Sequence, residues 1–205
     1  MIVTPIKKDC KKCRAGVRCL WAIDCSCVTD IIFDEDRNII GICCIGQGLV
    51  KLEFCPNTAL LSQEKTKVKN CTIVNQALSF KIQCLSTENR NALEDLNGCC
   101  CIHVIVQDNG GNYHYLGISL EEDGTYTDEE MSTADGSANT GADPTTDLSE
   151  YTETLTATTT MYAPQVKKEN IVDILTACIC DKEGIVNSQD GGYLVDSEGC
   201  IIQLT

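Results

Sequence analysis

Sixteen cysteines and two histidines hold most of the reactive chemistry available to this 205-residue chain. Cys10 and Cys13 form a Cys-x-x-Cys pair between lysines, and two thiolates at that spacing can share one tetrahedral zinc ion. The other half of a zinc knuckle is missing. Cys19, Cys25 and Cys27 follow irregularly, with neither a second Cys-x-x-Cys nor a His-x-x-x-His at finger spacing. Cys43-Cys44 and Cys99-Cys100-Cys101 are consecutive, and in extended chain adjacent side chains point to opposite faces, so these runs converge on one metal only through a sharp bend. Cys178-x-Cys180 shares a strand face and could pair with Cys200. The plainer role for most of these thiols is that of a small core hydrophobe. Cys10 and Cys13 stand as the weak metal candidates, and no cofactor is expected.

His103 and His114 lie in two strands joined by a turn at Asp108. Counted outward from that turn they could be near neighbours, which would allow a metal pair or a nucleophile made of Cys101 and His114. The carboxylate or amide that would orient a catalytic base is not identifiable, so ordinary strand histidines and no catalysis are expected. The chain has no phosphate-binding loop, nucleophile elbow or dinucleotide fingerprint; Gly46-Gln-Gly48 lacks both the third glycine and a following helix. Asp123-Gly, Asp135-Gly and Asp143-Pro offer carboxylates, none in the twelve-residue calcium pattern, and a solvated loop is the expectation there.

The elements that would carry these residues are mostly strands. Leu78, Phe80, Ile82 and Cys84 alternate with polar residues, the pattern of a strand with one buried face. Ser86 or Thr87 then offers an N-cap, Ala92, Leu93 and Leu96 share one face, and Asn97-Gly98 supplies a stop, which predicts a short flanking helix over 87–97. A β-branched run from Cys101, the turn at Asp108-Asn-Gly-Gly-Asn and a second run from Tyr113 predict a hairpin. The stretch from Glu121 to Leu148 is polar and acidic and reads as a long projecting loop. Tyr151 to Tyr162 alternates around threonines and predicts another long strand ended by Pro164. Shorter strands are expected at Val17–Ile23, at Ile31–Phe33, from Ile39 and from Val50. Together these predict a mainly β chain, with a domain over 1–165 and a small C-terminal β appendage over 166–205.

At this length a packed core needs neither metal nor disulfide, since folding buries roughly 70% of the unfolded surface. The opening residues show no apolar run after their charges, so synthesis in a reducing cytoplasm, with the cysteines as thiols, is the expectation. The net charge of −14 is uneven: residues 91–166 carry 14 acidic side chains and no lysine or arginine. Such a surface repels phosphates, which argues against a nucleic-acid grip and is compatible with a wall past which DNA slides.

The residues from Asn75 to Pro164 resemble the major tail-tube proteins of siphophages and related prophages of Bacteroidetes-type hosts. The resemblance is carried by Leu78-Ser-Phe-Lys-Ile, the Asn89-Arg-Asn-Ala-Leu-Glu-Asp-Leu-Asn-Gly helix, the Val104-to-Gly117 hairpin and Tyr151-Thr-Glu-Thr-Leu-Thr-Ala ending at Ala163-Pro164. Lys8-Asp-Cys-Lys-Lys-Cys-Arg-Ala-Gly-Val and Phe54-Cys-Pro-Asn-Thr-Ala are similar to that family's opening. It implies a β-sandwich or barrel flanked by one helix, six copies per ring, and rings stacked into a tube. The implied partners are further copies of this chain, other tail proteins and viral DNA in transit, with no membrane; the implied location is the virion tail, assembled in the host cytoplasm. The tube proteins of type VI secretion and other contractile injection systems look similar. The segment from Glu121 to Leu148 and the first 27 residues are the expected assembly elements. The cysteine richness departs from the family, and a capsid decoration protein, a head–tail joining protein and a zinc-stabilised binding module stay open as alternatives.

Overall fold

In chain order the strands are β1 (Val17–Asp24), β2 (Val28–Phe33), β3 (Ile39–Cys44), β4 (Val50–Glu53), β5 (Ala59–Val68) and β6 (Cys71–Gln83). Helix α1 (Thr87–Gly98) follows, then β7 (Ile102–Asp108), β8 (Tyr113–Leu116), β9 (Ile118–Leu120), β10 (Tyr126–Asp128), β11 (Ser132–Asn139), β12 (Glu150–Thr159), β13 (Gln165–Val166) and α2 (Ile171–Ala177). The computed structural model describes residues 15–44, 48–54, 57–69, 71–99, 101–121, 125–143 and 147–177.

Among the described residues the strands form a seven-stranded sheet in the order β2-β3-β13-β8-β7-β1-β4, a four-stranded antiparallel sheet in the order β11-β12-β6-β5, and the β9–β10 pair. The chain is mainly β, and the sheets do not close into a barrel. The two larger sheets share a core: Leu20 and Ala22 of β1 and Val104 and Val106 of β7 meet Leu78 and Phe80 of β6 and Leu155 of β12, with Leu93 and Leu96 of α1 closing one end. A second core lies on the other side of the larger sheet. There Trp21, Ile105 and Tyr115 pack with Ile39, Ile42 and Ile118, under Ile171 and Ile174 of α2.

Local chemistry accounts for the segments that set this frame. In the β7–β8 turn, Gly111 adopts φ +80°, the Asp108 carboxylate accepts from Asn112 N at 2.8 Å, and Asp108 N donates to Asn112 O at 2.9 Å. Ser86 caps α1, its hydroxyl accepting from Asn89 N at 3.1 Å. A bulge between Val17 and Cys19 in the β1–β7 pairing allows Val17 and Leu20 both to face the first core while Cys19 and Trp21 face the second.

Three expectations are revised. The stretch from Glu121 to Leu148 is not a free loop: it contributes β10 and β11, the latter pairing with β12 from Ser132↔Thr156 to Asn139↔Glu150. The run from Ile171, read as β, is helical to Ala177, because Ile171 and Ile174, one turn apart, bury the same face. With Val166 in β13 also buried, residues 166–175 belong to the second core, and 178–205 lie outside the described residues. Cysteines are not all thiols, since Cys25 and Cys101 are joined in a disulfide with Cα atoms 5.5 Å apart.

Candidate assembly surface

Strict alternation along β12 turns Glu153, Leu155, Ala157 and Thr159 inward and leaves Thr152, Thr154, Thr156 and Thr158 on the outer face of the four-stranded sheet. Strand register places matching short polar residues beside them. Thr156 is flanked by Ser132 of β11 and Ala77 of β6, which in turn sits beside Ser62 of β5. Thr154 lies between Asp135 and Ser79, and Thr152 between Ser137 and Lys81. The Ser79 and Thr154 hydroxyls are 3.0 Å apart and bonded, and the Thr158 hydroxyl meets Asn75 Oδ1 at 3.4 Å. Threonine suits a pleated, half-exposed surface because its branched side chain packs along the strand while its hydroxyl stays wet. The result is a sheet face paved with hydroxyls.

Asp135 lies in register with the outer threonines, while other described acidic residues nearby are engaged individually. Glu150 is ion-paired with Lys81, and Asp147 accepts from the backbone N–H groups of Ala142 and Asp143 at 2.8 and 2.9 Å. Glu153 points inward. Its carboxylate occupies space left by the missing side chain of Gly136, where an added Cβ would come within 2.6 Å of Oε2. Burial pushes the Glu153 carboxyl above its ordinary pKa, against a smaller opposing effect of a hydrogen bond from Asn97.

Both edges of the sheet are unpaired among the described residues. β11 is small and polar throughout, Ser-Thr-Ala-Asp-Gly-Ser-Ala-Asn, and lacks the lysine or proline with which isolated proteins guard an edge. β5 combines a 62% exposed Leu60 with a distal half, residues 64–68, that is exposed throughout and contains Lys65 and Lys67. That half forms a hairpin with β6, turning at Val68↔Cys71 beyond the sheet body.

Among the described residues, neither the metal groupings nor the Cys101–His114 pair weighed from the sequence forms. Cys10 and Cys13 lie outside the described residues, as do Asp123, Cys178, Cys180 and Cys200; among the described residues no cluster of three metal-ligating side chains forms. Cys101 is bonded to Cys25, so its sulfur is not a nucleophile paired with His114. The histidines are not neighbours either: His114 is opposite Val106 on β7, three residues from His103, and an odd spacing puts the two on opposite faces of the sheet. His114 Nε2 is 3.4 Å from Asp108 Oδ2.

His103 is buried beside Tyr115, ring centroids 5.5 Å apart, with Nε2 3.7 Å from the Asp128 carboxylate. Burial lowers the His103 pKa, with the charges of Asp128 and Asp24 working in the opposite direction. The hydroxyl of fully buried Tyr115 has no hydrogen-bond partner, and burial raises its pKa far above the ordinary value. Sequence inspection missed the edge strands β5 and β11 as surface elements; the Thr-x-Thr-x-Thr alternation was the available signal for the face between them.

Among the described residues no helix is long and apolar enough to cross a membrane. Comparison with known protein families, with curated proteins and with solved structures finds no match to this chain.

Proposed function

We propose that this protein is a structural protomer that assembles with further copies of itself into stacked hexameric rings, forming a tail tube through which viral DNA passes. The observation that carries this reading is the four-stranded sheet, whose two edges are unpaired among the described residues and whose outer face is lined with hydroxyls. Its strands alternate in direction from β11 to β5, so β5 of one copy and β11 of the next run antiparallel when two copies lie side by side. An even number of alternating strands can therefore repeat around a ring without a parallel mismatch, by strand addition at each junction. The contact is heterologous and closes by rotation. The exposed β5–β6 hairpin supplies an element to register the next ring.

A lumen lined by this face would suit DNA in transit. Hydroxyls hydrate a passing phosphate without releasing its counterions, and Lys81 is already held by Glu150. The role requires no catalytic group. Other tail proteins are the expected partners at the tube ends.

Negative-stain electron microscopy across a concentration series, with light-scattering mass in parallel, tests the reading. Rings or tubes are expected from the unaltered protein. Of Ser137 and Ala138, neighbours on β11, one N–H faces β12 and the other the open edge. Ser137→Pro and Ala138→Pro should therefore split, one destabilising the sheet and the other leaving a folded monomer that no longer assembles. Undiminished assembly of both variants would sink the strand-addition scheme.

A further inference from the structure

We propose that Cys25, Cys99 and Cys101 form a thiol–disulfide exchange site opening onto the groove between α1 and strands β1 and β4. The groove has a volume of about 400 Å³ and is lined by Ile23, Asp24, Val50, Leu52, Leu96 and Cys99, among others. The Cys25–Cys101 disulfide ties the short 3₁₀ turn Cys25–Cys27, at the end of β1, to the chain entering β7. Both bonded residues are partly exposed, and Asp24 and Ile102, the neighbours of each, line the groove.

Cys99 closes the constellation. It lies at the C-cap of α1, two residues before Cys101, and its thiol donates to the carboxylate of Asp24, the residue adjoining Cys25. The Asp95 carbonyl is a second acceptor at 3.4 Å. These contacts hold a resident thiol against the residue that precedes one end of the disulfide, and all three cysteines are partly exposed. Thiol–disulfide exchange needs a thiolate, a sulfur it can reach and access for water to carry the proton.

The exchange conserves electrons. Cys99 gives up its proton to solvent, and its thiolate attacks Cys25 Sγ. A Cys25–Cys99 bond forms as the Cys25–Cys101 bond breaks, and the electron pair leaves on the Cys101 sulfur, which takes a proton from water. One disulfide and one thiol exist before and after, and no external oxidant or reductant enters. The bridge would then tie the 3₁₀ turn to the end of α1 instead of to the start of β7.

Asp24 is a positioning residue in this scheme. Its carboxylate is held in the charged form chiefly by the Ser26 hydroxyl and backbone N–H, the latter at 2.8 Å, with the Cys99 thiol as a further donor. A charged acceptor favours the thiol over the thiolate, so removal of the Asp24 charge is expected to speed exchange. Asparagine would retain the N-cap of the 3₁₀ turn and remove the charge.

The test is disulfide mapping by tandem mass spectrometry on the full-length protein, incubated without reductant at pH 6 and pH 8.5 and quenched with acid and a maleimide. Cys25–Cys101 is expected at pH 6, with a Cys25–Cys99 species growing in at pH 8.5. Asp24→Asn should speed its appearance about threefold or more, as expected for a thiolate relieved of a neighbouring negative charge. Cys99→Ser should abolish it, while Cys84→Ser, at an exposed thiol on another segment, should change nothing. Circular dichroism on each variant establishes that the fold persists, and the pH dependence of the unaltered protein stands if a variant does not fold. Pairing that stays at Cys25–Cys101 in the unaltered protein at pH 8.5, or redistributes equally in Cys99→Ser, overturns the proposal.

Discussion

The strands β7 and β12 are both central in their sheets and were built by opposite rules. In β7 the run Ile102-His-Val-Ile-Val is buried at every position, because the larger sheet has a core on each side. In β12 the burial alternates, because the smaller sheet has a core on one side and leaves the other to solvent. A strand's hydrophobic pattern thus reports how many of its faces are covered. The larger sheet is the structural layer of this protein, and the smaller one is the layer with a surface to offer.

Core truncations give the largest effects and could break that contrast. Ile102→Ala and Ile105→Ala, on opposite faces of β7, should each cost about 2–5 kcal/mol in chemical denaturation, as should Leu155→Ala on β12. Thr154→Ala, one residue away on the outer face, should change stability by no more than about 1 kcal/mol. If Ile105→Ala proved as mild as Thr154→Ala, the second core would not be a core.

Glu153 is the exception within the alternation, a carboxyl on the inner face. Its pKa is raised on folding, so the folded state binds the proton more tightly than the unfolded chain. The associated stability is fully present below the ordinary glutamate range and is lost as pH rises through the folded value. Glu153→Gln should therefore stabilise the protein at pH 7, by on the order of 1 kcal/mol, and the gain should shrink on acidification through that range. A gain independent of pH would mean that the carboxyl titrates normally. The smallest effect is expected at the Lys81–Glu150 pair on the outer face, where Lys81→Ala should cost about 0–1 kcal/mol and less in high salt.

Sequence alone disclosed the parts whose chemistry is local. The Ser86 cap, the Asp108 turn and the one-sided alternation of β6 and β12 each follow from residues close together in the chain. β11 escaped because none of its residues is a large apolar or aromatic strand former; it is a strand by virtue of its partner β12. α2 was misread because Ile171-Val-Asp-Ile is rich in β-branched residues, although Ile171 and Ile174 already had helical spacing. The Cys25–Cys101 bond spans 76 residues and rests on strand pairing that no short motif encodes. The outer face was half legible: the threonines were evident, but their serine neighbours on β11, β6 and β5 come from register.

The location of Trp21 makes the two layers separable by light. It is the one tryptophan in the chain, 8% exposed in the second core, with its ring centroid 5.9 Å from that of Tyr113. Indole emission will therefore come from the larger sheet, while far-ultraviolet dichroism averages over both. Heating the protein under both probes resolves whether the layers melt together or the hydroxyl-faced sheet lets go first, without introducing a label.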